Sequence, residues 1–154
     1  MPPGAPPDQI SGRLAVRVAA DGNQVERGIG VGFELNGNPQ AGRIEFTSPL
    51  GSLVARAQWS AQQVVLVTSL GEQRFADLDS MSRRVLGESI PLAAFFDWFR
   101  GRAWPGAAAQ DLPEGKGFEQ LGWRVDLSRF EDSVVIATRS MAPEVTVRAV
   151  VDQR

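Results

Sequence analysis

The chain has 154 residues, 43% of them hydrophobic and 22% charged, so it is long enough for one domain with a real core and is not disordered in composition. Its net charge is −2 and its arginines are scattered singly, which argues against a nucleic-acid partner because phosphates require clustered basic residues. Cysteine and histidine are absent, which excludes disulfides, Cys/His metal sites and Ser-His-Asp triads, and we expect no cofactor.

The first residues, MPPGAPPDQI, contain four prolines within seven residues and no apolar stretch typical of a signal peptide. We expect residues 1–9 to be a flexible Pro-rich tether, or a remnant of protein production, and residues 10–154 to form a single domain. No window approaches 18 consecutive apolar residues, so we expect no membrane-spanning helix.

Alternation with a period of two runs from Gly12 to about Phe75, which predicts half-buried antiparallel strands joined by short connections. One of these segments, GIGVGFEL, places three glycines on a single face: Gly28, Gly30 and Gly32. The glycines predict either a bend in the sheet or a closely docked helix, and a ligand-facing surface is the alternative.

The segment TSPLG lies between two of these strands and predicts a type I hairpin turn. Pro49 presets the second turn position and Gly51 suits the fourth, which leaves Leu50 at the third. Leucine is unusual at the tip of a hairpin, because tips face water. Leu50 either folds back on the protein or is held outward for a partner or a bilayer, and alone it is a weak membrane anchor.

The segment DLDSMSRRVLGE changes to helical periodicity, with Asp77 or Asp79 as the N-cap and Gly87 as the end of a first helix. A second helix is predicted in SIPLAAFFDWFRG, with Pro91 in its first turn and Gly101 beyond its end. Five aromatic residues crowd FFDWFRGRAW. This cluster predicts a helix wedged between sheet and loop, or a helix that lines an apolar pocket with Trp98 or Trp104 near its mouth.

Residues 102–117 have no periodicity and predict a long loop, after which alternating strands resume with Leu121, Trp123 and Val125 on one face. The chain is therefore expected to be α+β, mainly β, with about nine antiparallel strands that curl into a barrel or sandwich and two helices on the concave side. Carboxylate pairs such as Asp77 and Asp79 are explained by capping and solvation, and we expect Asp97 to pair with Arg100 or Arg102. We expect no enzymatic activity.

Several segments in this order resemble the LolB family of outer-membrane lipoprotein receptors: SGRLAVRV, GFELNG, GRIEFTSPLGSLVARAQW, FADLDSMSRRVLGESIPLAAFFDWFRGRAWPG and GFEQLGWRVDLSRF. The resemblance covers about residues 11–151. It implies an open, incomplete antiparallel β-barrel with helices over a hydrophobic cavity, at the periplasmic face of the outer membrane. Such receptors accept lipoproteins from a LolA-like periplasmic carrier, hold their acyl chains and insert them into outer-membrane lipid.

The resemblance also implies site residues. The Pro-Leu-Gly turn maps onto Pro49, Leu50 and Gly51, with Leu50 as the residue that meets the membrane. We expect the inner apolar face to form the acyl-chain cavity together with part of the second helix; the candidates are Ile29, Val31, Phe33, Ile44, Phe46, Trp59, Phe95, Phe96, Phe99, Trp123 and Val125.

Most family members are anchored through an N-terminal cysteine after a signal peptide, and the sequence shows neither, so we expect a truncated chain that behaves as a monomer. Two other functions stay open. A barrel for small hydrophobic ligands would share the cavity without needing Leu50 at the tip, and an envelope assembly factor would use the tip and the aromatic residues for protein contacts.

Overall fold

A computed structural model describes residues 9–153, which form a single antiparallel sheet of eleven strands with two α-helices. The strands are β1 (Ile10–Val18), β2 (Arg27–Gly37), β3 (Gly42–Thr47), β4 (Leu53–Trp59), β5 (Val64–Thr68), β6 (Gly71–Phe75), β7 (Ala109–Asp111), β8 (Gly117–Gln120), β9 (Trp123–Asp126), β10 (Val134–Arg139) and β11 (Val145–Gln153). The helices are α1 (Leu78–Leu86) and α2 (Leu92–Trp98), and Phe130–Asp132 forms one 3-10 turn.

The strand order is β6-β5-β4-β3-β2-β1-β11-β10-β9-β8-β7, so two meanders meet where β1 pairs with β11. Strands β6 and β7 stand at the two ends of this order and do not pair with each other. The sheet is therefore an open barrel, which confirms the predicted fold class. The two helices lie between β6 and β7 along the chain and cover the inner side of the sheet.

Alternating burial separates an apolar inner face from a polar outer face on the long strands, as in the buried-exposed pattern of β1. The predicted inner face is confirmed for seven buried side chains: Val31, Phe33, Ile44, Phe46, Trp59, Trp123 and Val125. Ile29 is the exception, because it is 39% exposed. It keeps the predicted face but lies near the start of β2, beside a shallow depression that the end of α1 also lines.

Asp77 caps helix α1, as one of the two predicted alternatives, by accepting a hydrogen bond of 2.8 Å from the backbone N–H of Ser80. This bond lowers the pKa of Asp77 below its ordinary value of 3.8. The cap therefore stabilises the fold above pH 3.8 and is lost as the pH falls through the lowered pKa. Gly87 ends the helix with a left-handed φ of 82°, as predicted.

Two expectations for the later part of the chain are wrong. The stretch 102–117 is not one long loop, because Ala109–Asp111 forms β7 and pairs with β8. All three of its residues are exposed, so no alternation marked it in the sequence. Leu121 is not on the inner face of a strand but lies in the turn that separates β8 from β9. This separation and the presence of β7 together raise the strand count from about nine to eleven.

The glycine face of β2 points outward, so no helix docks on it as one alternative required. A Cβ on Gly30 would have no neighbour within 4 Å, whereas the same atom on Gly12 of β1 would lie 2.1 Å from the carbonyl oxygen of Val150. Gly12 follows an irregularity in the pairing of β1 with β11, and only glycine allows that close backbone approach.

This contrast predicts different outcomes for two matched substitutions. Gly12→Ala should lower the free energy of unfolding by about 1–3 kcal/mol, because the new methyl group overlaps backbone atoms that cannot move independently. Gly30→Ala should stay within about 0.5 kcal/mol of the unsubstituted protein. Urea unfolding followed by circular dichroism measures both, and equal midpoints for the two variants would contradict the pairing of β1 with β11.

Candidate functional site: an exposed apolar turn and a filled barrel interior

The turn after β3 is fixed by its own backbone and side-chain hydrogen bonds. The N–H of Gly51 donates to the carbonyl of Ser48 at 2.9 Å, and the N–H of Ser48 donates to the carbonyl of Ser52 at 2.8 Å. Gly51 has a φ of 89°, which favours glycine. The side chain of Leu50 is 95% exposed, so the outward orientation is confirmed and the folded-back alternative is wrong.

The interior of the barrel is filled by helix α2. Phe95 and Phe99 stack with ring centroids 4.5 Å apart, and Phe99 lies 5.5 Å from the ring of Phe33 on β2. Phe96 meets Trp59 of β4 edge to face at 6.2 Å. The three phenylalanines are therefore brought against the inner face of the sheet, where all of them are buried.

Trp98 is fully buried and packs against Phe118 and Trp123, with centroids 6.2 and 6.4 Å away. It does not stand at the mouth of a pocket, so the wedged-helix prediction is confirmed for this residue. Trp104 is half-buried against the same core. Asp97 forms an ion pair with Arg102 at 2.6 Å, as one of the two predicted alternatives.

Gln120 is a buried polar residue that the sequence analysis did not single out. Its Oε1 accepts hydrogen bonds from the indole N–H of Trp98 at 2.7 Å and from the backbone N–H of Trp104 at 2.9 Å. Its Nε2 donates to the carbonyls of Trp104 at 2.6 Å and Ala107 at 2.8 Å. Gln120 thus ties the end of α2 and the following loop to β8. The sequence does contain a signal for this role. Gln120 and Phe118 lie on either side of the exposed Glu119, so the alternation of the strand places the Gln120 amide on the buried face.

Glu88 lies in the connection between α1 and α2 and holds the start of α2. Its carboxylate lies 2.8 Å from a guanidinium nitrogen of Arg139 on β10 and 3.3 Å from one of Arg27 on β2. Arg139 also lies over the ring of Trp123 at 5.8 Å and donates to the carbonyl of Pro143. These partners are 51 and 61 residues from Glu88, and no local pattern in the sequence announces them.

Two further carboxylates have structural partners. Glu114 pairs with Arg124, and Asp126 accepts from the backbone N–H of Ser128 at 2.8 Å, which lowers the pKa of Asp126. Across residues 9–153, no group of three or more acidic side chains is arranged to hold a metal ion. The same part of the chain contains no helix that is both long enough and apolar enough to cross a bilayer.

The fold and site define an open β-barrel protein with an apolar interior closed by helices and an apolar side chain displayed on one hydrogen-bonded turn. The family model described as Outer membrane lipoprotein LolB matches residues 8–153. Proteins named Outer-membrane lipoprotein LolB are also similar. The one from Bordetella pertussis is 32% identical over 153 residues, covering 92% of this chain and 76% of the relative.

The protein of the same name from Chromobacterium violaceum is 29% identical over 126 residues, covering 82% of this chain and 66% of the relative. That from Nitrosomonas europaea is 29% identical over 158 residues, covering 96% and 72%. The chain belongs to the LolB family.

The contacts of Gln120 generate a stability prediction. Gln120→Leu should lower the free energy of unfolding by about 3 kcal/mol or more, because each buried polar group left without a partner costs about 1–3 kcal/mol. Glu119→Leu, one residue away on the exposed side of β8, is the matched control and should have little effect. Thermal unfolding measures both, and similar melting temperatures for the two variants would show that Gln120 does not hold the helix in place.

Proposed function

We propose that this protein receives lipoproteins from a periplasmic carrier, holds their acyl chains inside the barrel and releases them into the outer membrane, at whose periplasmic face it works. The observation that carries the proposal is the fully exposed Leu50 on a hydrogen-bonded turn of a protein whose interior is also apolar. An exposed leucine forgoes roughly 1.5–3 kcal/mol of burial, which it regains in a partner or a bilayer.

The interior supplies the acyl-chain site once the aromatic side chains of α2 make room. In the structure Phe95, Phe96 and Phe99 pack directly against the sheet, so an acyl chain must take over the contacts that they make. Each buried methylene contributes about 0.8 kcal/mol, so ten methylenes contribute about 8 kcal/mol toward displacing them. The exchange replaces one apolar contact with another and needs no buried charge.

The two attachments of α2 differ in their chemistry. Glu88 forms two ion pairs: the one with Arg27 is partly exposed on the arginine side, whereas the one with Arg139 is mostly buried, with side chains 18% and 16% exposed. Removing one partner of a buried pair is strongly destabilising. Gln120 instead satisfies buried polar groups of Trp98 and of the loop after α2. Moving α2 as a whole would therefore break a mostly buried ion pair at one end or buried hydrogen bonds at the other.

Transfer along this route makes and breaks no covalent bond. Acyl chains move between apolar surfaces in the direction of rising affinity, from carrier to barrel to bilayer, so neither a nucleotide nor a metal ion is required. Leu50 acts at the last of these steps by bringing the barrel into contact with hydrocarbon. A barrel for small hydrophobic ligands would have no use for this exposed side chain, which is why release into a membrane is the favoured reading.

Leu50→Glu tests the role of the turn. Because the side chain is 95% exposed, the free energy of unfolding should change by no more than about 0.5 kcal/mol. Release of bound lipoprotein into liposomes should nevertheless be blocked, since a carboxylate resists entry into hydrocarbon. Uptake from the carrier should persist because the interior is untouched. A two-step assay scores uptake and release separately.

The matched control for this assay is Ala61→Glu, which adds the same charge to an exposed turn between β4 and β5. Its release should equal that of the unsubstituted protein. If Leu50→Glu also releases lipoprotein normally, Leu50 is an ordinary turn residue. If instead its melting temperature falls steeply, the side chain contributes to packing in solution.

Phe96→Asp tests the interior. The carboxylate would face Trp59 and should weaken the binding of acyl chains, because an unpaired charge is costly in an apolar site. Binding of a fluorescent fatty acid gives the affinity, and circular dichroism checks that the sheet has formed. Phe96→Leu is the conservative control and should retain most of the affinity. Unchanged binding by a folded Phe96→Asp protein would remove α2 from the acyl-chain site.

A further inference from the structure

Within residues 9–153, the large exposed hydrophobic side chains are confined to one end of the sheet. By the antiparallel order, five turns lie at that end: 19–26, 48–52, 69–70, 121–122 and 140–144. Each carries one large exposed hydrophobic side chain, with exposed fractions between 48 and 95%: Val25, Leu50, Leu70, Leu121 and Met141. We call these five turns the rim.

The opposite end of the sheet differs. Its turns, 38–41, 60–63, 112–116 and 127–133, contain three large apolar side chains, and none of them is exposed: Leu112 is buried, and Leu127 and Phe130 pack against the core. The other exposed hydrophobic side chains of the described residues lie in strand segments that adjoin the rim: Ile29, Leu53, Val54 and Val67. Apolar exposure is therefore a property of one end and not of turns in general.

One rim leucine occupies a backbone conformation that disfavours it. Leu121 has a φ of 56° and is followed by Gly122 with a φ of 82°, in the two-residue turn between β8 and β9. Both positions of such a turn favour glycine, asparagine or aspartate, because a side chain with a positive φ is strained. A leucine at this position is not explained by local conformation, and it adds to the apolar character of the rim.

The best-defined part of the rim consists of two neighbouring hairpin tips. The ladder between β4 and β5 ends at Ala55 and Thr68, and the turn bearing Leu70 follows directly. The ladder between β3 and β4 continues to Leu53, so the neighbouring turn bearing Leu50 extends further in the same direction. The centres of the two turns are two strand spacings apart, which is about 10 Å. Leu70 is 88% exposed, and Val54 lines the shallow depression beside it. The two leucines can therefore reach one surface together.

The charges around this part of the rim favour a lipid surface. The turns that carry Leu50, Leu70 and Leu121 contain no charged residue. Below the Leu50 turn, a groove of about 510 Å³ on the outer wall is lined by Pro49, Gly51 and the glycine face of β2, with Arg13 and Arg148 at its sides. Within residues 9–153 neither arginine forms an ion pair, so both guanidinium groups are available to lipid phosphates.

We propose that the rim is a membrane-docking surface in which Leu70 enters the lipid beside Leu50 while Arg13 and Arg148 meet the phosphates of the headgroups. The inference rests on the proposed function and deepens it by naming a second apolar contact. A single leucine gives weak and reversible binding, and stable attachment to a bilayer takes two signals. Two neighbouring tips also fix the orientation of the barrel against the membrane, which one tip cannot do.

The absence of cysteine allows a direct test, because one introduced cysteine supplies the only thiol in the chain for a thiol-reactive label. Leu70→Cys, Leu50→Cys and Ala61→Cys are each labelled with an environment-sensitive fluorophore and mixed with vesicles of phosphatidylethanolamine and phosphatidylglycerol. The emission of the label at positions 50 and 70 should shift to the blue and be quenched by brominated acyl chains. The label at position 61, at the opposite end of the sheet, should not respond.

The outcomes separate this inference from the proposed function. A response at position 50 without one at position 70 overturns the proposal that Leu70 enters the lipid, and it leaves the proposed role of Leu50 unchanged. No response at either position overturns the membrane contact of both leucines. A response at position 70 to the purified carrier, but not to vesicles, overturns the lipid assignment and makes Leu70 a protein contact.

Affinity gives a second, independent measurement. Leu70→Asp should bind the same vesicles at least about tenfold more weakly in a flotation assay, because a buried leucine side chain is replaced by a charge. Ala61→Asp should bind as the unsubstituted protein does. Leu70→Asp should keep its melting temperature, and vesicle binding equal to that of Ala61→Asp would overturn the inference.

Discussion

A sheet with an apolar inner face must be covered, and in this protein two short helices cover it, of which α2 brings the aromatic side chains. Helix α2 has seven residues and places Phe95, Phe96 and Trp98 in the core, with Phe99 directly after its end. The rest of the structure depends on this contact, because the strands alone would leave their apolar side chains in water. Helix α1 leads the chain into the barrel, and the loop after α2 leads it out again to β7.

Polar groups determine how firmly that cover is held. The chain leaves the interior near Trp104, where backbone N–H and C=O groups are withdrawn from water, and Gln120 satisfies them with one amide. At the other end the carboxylate of Glu88 reaches arginines on two distant strands. The interior thus combines non-directional apolar packing, which an acyl chain can imitate, with a directional anchor, which it cannot.

Alternation in the sequence was sufficient to predict the antiparallel sheet. The apolar members of each alternating set gave the inner face correctly except for Ile29, which is partly exposed, and Leu121, which lies in a turn. The cap at Asp77 and the helix end at Gly87 follow from local chemistry and were predictable for that reason. Proline and glycine predicted the turn around Leu50 but left its orientation open, and the resemblance to the LolB family implied the exposed orientation that the structure has.

The features that escaped prediction depend on residues far apart in the chain. Strand β7 has no pattern of its own and exists because β8 offers it a partner. The turn at Leu121 breaks the preference of turns for polar residues, so it read as part of a strand. The role of Gln120 is visible only when Trp104 and Ala107 are seen beside it, and the partners of Glu88 lie on strands that the meander brings together.

Because β6 and β7 are not paired with each other, the barrel widens more easily at the gap between them than between any two paired strands. Widening a closed barrel would break a continuous ladder of backbone hydrogen bonds, but between these two edge strands no ladder exists. Both edges are poor templates for another strand, since β7 has three residues and β6 carries Glu72 and Arg74 among its exposed side chains. Such an edge can stay open without recruiting a neighbouring molecule. The barrel can therefore change its diameter at this gap while every paired strand keeps its register. Bound molecules of different size can then fit inside without the loss of any backbone hydrogen bond between strands.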